Sequence, residues 1–148
     1  YYLKRKAVNF MVNYSEFIEI VCSNLKITKP IVEEVLFLHT PTQLAEYVPA
    51  DNVLKYRMGK IPLDIMFAIA HELRHKWQAE NCPEIFQNYV NSTEIGTEQY
   101  NLQNAEIDAN AYAMVVMESG FGVTPQFKGL SEKVKKKILL RANEIVEE

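Results

Sequence analysis

The segment His71-Glu72-Leu73-Arg74-His75 places two histidines four residues apart with a glutamate directly after the first. On a helix, residues four apart stand one turn above each other on one face. Two imidazoles at that spacing can converge on a single ion at about 2.0–2.1 Å. Glu72 is rotated by about 100° from His71. It can therefore reach a water activated by the ion without ligating the ion itself. A metal lowers the pKa of water toward about 7, and a neighbouring carboxylate can take the proton. The chemistry these residues point to is metal-assisted hydrolysis, with Zn2+ as the expected ion.

A catalytic zinc needs three protein ligands and one open position. The chain has three histidines, His39, His71 and His75, and none follows His75. The third ligand is then acidic, a cysteine, or His39 from upstream. The leading candidate is Glu106, in Glu106-Ile107-Asp108-Ala109-Asn110. Glu106 and Asn110 share a helical face, so Glu106 can bind the ion while Asn110 accepts a hydrogen bond from a ligand histidine. Asp108 lies off that face and is the alternative ligand. A further alternative is Glu98, because Gly96-Thr97-Glu98-Gln99 resembles the Gly-Thr-x-Asp element of aspzincins, with Gln99 where the aspartate stands. Tyr100 could stabilise an oxyanion through its phenol, and Tyr112 and His39 are equal alternatives for that task.

These residues need rigid carriers, and the sequence supplies them. Apolar spacing predicts a helix over 10–25, a strand over 31–38, and a hairpin of strands over 43–48 and 53–58 around the turn Pro49-Ala50-Asp51-Asn52. The H-E-x-x-H segment falls in a strong helix over 63–78, opened by Pro62 and Asp64. A short helix is expected over 84–90 and a polar loop over 91–101. A second strong helix over 102–118 carries Glu106, and its alanines permit close helix packing. A last amphipathic helix covers 131–148, with Lys135-Lys136-Lys137 on its solvated face. The expectation is one α+β, zincin-like domain over 1–148, mostly helical with a small three-stranded antiparallel sheet. The chain does not begin with Met, so it is expected to be part of something longer.

With 16 basic and 19 acidic residues and a net charge of −3, nothing in the charge balance calls for nucleic acid or a membrane surface as partner. No apolar run reaches the roughly 18 residues that span a bilayer, and the first residues lack a secretory pattern. Cys22 and Cys82 are expected to be reduced thiols in the cytoplasm.

The two motifs together, the H-E-x-x-H helix and Glu106-x-Asp108-Ala109-Asn110-x-Tyr112-Ala113, resemble the ImmA/IrrE-type gluzincin metallopeptidases over roughly residues 10–118. The resemblance implies zinc on His71, His75 and Glu106, Glu72 as general base, and a regulatory protein or repressor as the protein or peptide substrate. Arg74 stands where that family usually has glycine. The alternative expectation is a catalytically degenerate zinc-binding interaction module of a phage or mobile element.

Overall fold

The computed structural model describes residues 13–148. Helix α1 spans Tyr14–Leu25. Asn13 caps it, its side-chain oxygen accepting from the Glu16 N–H at 3.2 Å. Phe17, Ile18, Val21 and Leu25 bury one face. The expected start at residues 10–12 lies outside the described residues.

Three strands follow: β1 (Ile31–Val35), β2 (Ala45–Val48) and β3 (Val53–Arg57). The β2–β3 hairpin forms as expected, in antiparallel register from Ala45↔Tyr56 to Val48↔Val53. The sheet is nevertheless mixed. Its order is β1-β3-β2, and β1 pairs with β3 in parallel. Burial explains the order. Leu54 of β3 is fully buried, with Val53 and Tyr56 nearly so, so β3 takes the centre. Parallel pairing needs a crossover of a dozen or more residues, and residues 36–52 supply it. The β1 strand also ends sooner than expected, leaving Leu36 and Phe37 exposed.

Helix α2 (Pro62–Asn81) opens on Pro62 and carries the motif. A 3-10 turn, Pro83–Phe86, stands where a longer helix over 84–90 was expected. The polar stretch expected to be a loop holds a short helix, α3 (Thr97–Leu102). Its polar composition gives no apolar period to read. Helix α4 spans Asn104–Phe121 and helix α5 spans Glu132–Glu147.

Helix α4 is the hub. Ala105, Ala109 and Ala113 are fully buried and recur every four residues, so the backbone of α2 can approach closely. The other side of α4 buries Ile107, Ala111 and Met114 against Val134, Ile138 and Ala142 of α5. A fully buried side chain such as Ile138 contributes about 1.5–3 kcal/mol. The fold is therefore α+β and mostly helical, with α2 and α5 clamped on α4. Among the described residues no helix is long and apolar enough to cross a membrane.

Candidate metal centre

His71, His75 and Gln78 lie on one stripe of α2, at steps of four and three residues, facing α4. The two imidazoles meet nearly edge to face, with centroids 4.6 Å apart. Their Nε2 atoms are 3.0 Å apart. Glu106 reaches in from α4. Its Oε1 is 3.3 Å from His71 Nε2, and its Oε2 is 2.8 Å from His75 Nε2. An ion about 2.0–2.1 Å from each of three tetrahedral ligands requires those ligands to stand about 3.3 Å apart. The observed spacings, 2.8–3.3 Å, lie at or a little below that edge length. Two imidazoles and one carboxylate are also the chemistry of a catalytic zinc site, so the residues fit the ion.

The backs of both rings are held. His71 Nδ1 lies 2.8 Å from Asn110 Oδ1, and His75 Nδ1 lies 2.8 Å from Gln78 Oε1. An amide oxygen only accepts, so each Nδ1 carries its hydrogen and each Nε2 faces the shared point.

The centre is deeply buried, with Glu106 3% and the histidines 14% exposed at their side chains. Burial works against charge on both sides of the Glu106–histidine contacts. It would raise the Glu106 carboxyl, but the His71 and His75 charges and hydrogen bonds pull it well below the usual carboxylate range. It would lower His75, but the Glu106 hydrogen bond and charge push the imidazole up to about 9.

Glu72 is partly buried and tethered. Its Oε2 accepts the backbone N–H of Tyr47 in β2 at 3.0 Å. Ligating atoms of His71, Glu72 and His75 lie within 4.8 Å of one another. Burial raises the Glu72 carboxyl, against the lowering charges of His71 and His75 and the Tyr47 N–H. Of the two nearby carboxylates, Glu106 touches both Nε2 atoms while Glu72 is bonded to the sheet.

Two tyrosines complete this side. Tyr89 OH donates to Glu106 Oε2 at 3.1 Å and stands 2.9 Å from Tyr100 OH. Tyr100, His71 and Glu72 line one cleft of about 890 Å³. Burial and the Glu106 charge push both phenols above their usual range, so they remain protonated.

The other sequence-derived candidates lie elsewhere. The Asp108 carboxylate is taken by Arg74 at 2.8 and 3.0 Å, Gln78 at 2.8 Å and Arg141 at 2.9 Å. Glu98 is exposed and accepts from Ser131 Oγ at 2.8 Å. Tyr112 donates to Asn24 at 2.8 Å, and His39 pairs with Glu46 at 2.9 Å on the surface. Sequence reasoning missed Gln78 and Tyr89. Gln78 had a signal, since it continues the His71–His75 stripe. Tyr89 had none: it falls in the segment expected to be a short helix over 84–90, and it stands beyond the 3-10 turn Pro83–Phe86 that forms there.

Compared with protein-family models, curated proteins and solved structures, the chain finds no match in any of the three. The functional reading rests on the residues themselves.

Proposed function

We propose that the chain is a zinc metallopeptidase. The observation that carries this reading is Glu106, which arrives from a second helix to meet both Nε2 atoms of the H-E-x-x-H pair. His71, His75 and Glu106 would hold the ion. When bound, the ion supplies a Lewis acid for the scissile carbonyl and lowers the pKa of water. Glu72, held in place by the Tyr47 N–H, takes the water proton and passes it to the leaving amine. Tyr100 presents a protonated phenol to the cleft, suited to donate to a carbonyl oxygen as charge builds on it.

The cleft suits a peptide. Residues 42–45, leading into the outer edge of β2, form one wall, where an extended chain can lie beside the sheet. Elsewhere the wall of the cleft carries the apolar residues Leu63, Phe67, Val123, Pro125 and Phe127. The Phe67 and Phe127 rings meet edge to face at 5.5 Å. A substrate segment with a bulky apolar side chain fits this wall. The two motifs shared with ImmA/IrrE-type peptidases favour a regulatory protein as its source. Cys22 and Cys82 are both free thiols, in keeping with a reducing, cytoplasmic setting.

The test is cleavage of a peptide library by the zinc-loaded protein and by Glu72→Gln. Cleavage beside bulky apolar residues is expected, with a loss of about 10²–10⁴-fold in Glu72→Gln at unchanged zinc content. A second reading is a zinc-holding interaction module without peptidase activity. The Tyr47 N–H, which occupies one Glu72 oxygen, is the observation on its side. It predicts wild type and Glu72→Gln to be equally inert on every peptide.

A further inference from the structure

Gln78 is fully buried three residues beyond His75. Its amide nitrogen donates to the Ala105 carbonyl at 2.9 Å and to Asp108 Oδ2 at 2.8 Å. Both partners can only accept, so the amide has one permitted orientation. That orientation turns Oε1 onto His75 Nδ1 at 2.8 Å. His75 must then carry its hydrogen on Nδ1, with Nε2 facing Glu106. Asp108 is in turn immobilised by Arg74, through Nε and Nη2, and by Arg141 of α5. Arg74 is itself stacked on Trp77, its guanidinium carbon 3.7 Å from the ring centre.

We propose that Gln78 is a positioning residue for His75, locked in one amide orientation by Asp108 and the Ala105 carbonyl. The proposal rests on the metal-site reading above but not on peptidase activity. Buried groups behind a ligand histidine fix its ring and tautomer, and losing one typically costs 10–100-fold in metal affinity. A role confined to stability would lower the melting temperature and leave affinity and ligand spectra unchanged.

The experiment is titration of the metal-free protein with Co2+, followed by proton NMR of the loaded protein. Wild type is expected to show two strongly shifted exchangeable signals, one from each ligand Nδ1–H. In Gln78→Met, cobalt affinity should fall 10–100-fold, and one of the two signals should be lost to solvent exchange while the His71 signal persists. Gln78→Asn is the second variant should Gln78→Met fail to fold, and the same loss is expected. Wild-type affinity with both signals intact in the folded variant overturns the positioning role alone. A wild-type protein that takes up no cobalt overturns the metal site with it.

Discussion

Glu106 and Asp108 are two residues apart on α4 and almost equally buried, at 2% and 4% exposure, yet their surroundings differ in kind. Asp108 is enclosed by two guanidiniums and an amide, which together satisfy its charge permanently. Burial works against its ionisation, and the Arg74 hydrogen bonds and charge hold the carboxyl below its ordinary value. Glu106 meets two imidazoles and a phenol. Imidazoles can give up their protons and bind an ion, whereas guanidiniums cannot. The same helix therefore carries one carboxylate enclosed by the guanidiniums of Arg74 on α2 and Arg141 on α5, and another that meets the two imidazoles of α2.

Breaking each side in turn should separate stability from metal binding. Asp108→Ala strands Arg74 in the interior, and losing one partner of a buried pair costs about 3–5 kcal/mol. Urea unfolding of the metal-free protein should show that loss. Glu106→Gln should cost less than about 2 kcal/mol in the same assay, since the histidines beside it can become neutral. Equal losses would erase the distinction between the two carboxylates.

The Glu106 side should also respond to pH. Without metal, His75 holds its proton up to about 9, and a bound ion must displace it. Zinc affinity should therefore rise about tenfold per pH unit from 7 toward 9, about 1.4 kcal/mol per unit, and flatten above. Isothermal titration in buffers of different ionisation enthalpy reads the released proton. A profile flat from 7 to 9 would contradict the His75–Glu106 ion pair. Stability of the metal-free protein runs the other way, because the raised pKa contributes stability below about 6.5 that is lost as pH rises through about 9.

The smallest effect is expected at Arg141→Ala, about 0.5–1.5 kcal/mol. Its side chain is 26% exposed, and Arg74 still satisfies Asp108. A loss as large as that of Asp108→Ala would show Arg141 to be the principal partner.

The helical carriers and the key side chains were legible because helical spacing fixes which residues share a face. His71 and His75 share one, as do Glu106 and Asn110, and the chain has no histidine after His75. Asp108 was placed off the ligand face by the same geometry, but nothing local revealed that Arg74 and Arg141 enclose it. Arg141 lies more than thirty residues away on α5, and such pairings belong to packing. Strand direction was equally hidden, since alternation of apolar residues is the same in parallel and antiparallel strands. The central place of β3 goes with its having more buried residues than β1 or β2, a property of the whole sheet.

The central claim is that His71, His75 and Glu106 form one zinc site beside a base that is not a ligand. Its most direct test is zinc content after exhaustive dialysis, measured by atomic emission for wild type, His71→Ala, Glu106→Ala and Glu72→Gln. About one zinc per chain is predicted for wild type and Glu72→Gln, and close to none for the other two. Full zinc retention in His71→Ala or Glu106→Ala, or none in wild type, would contradict the account.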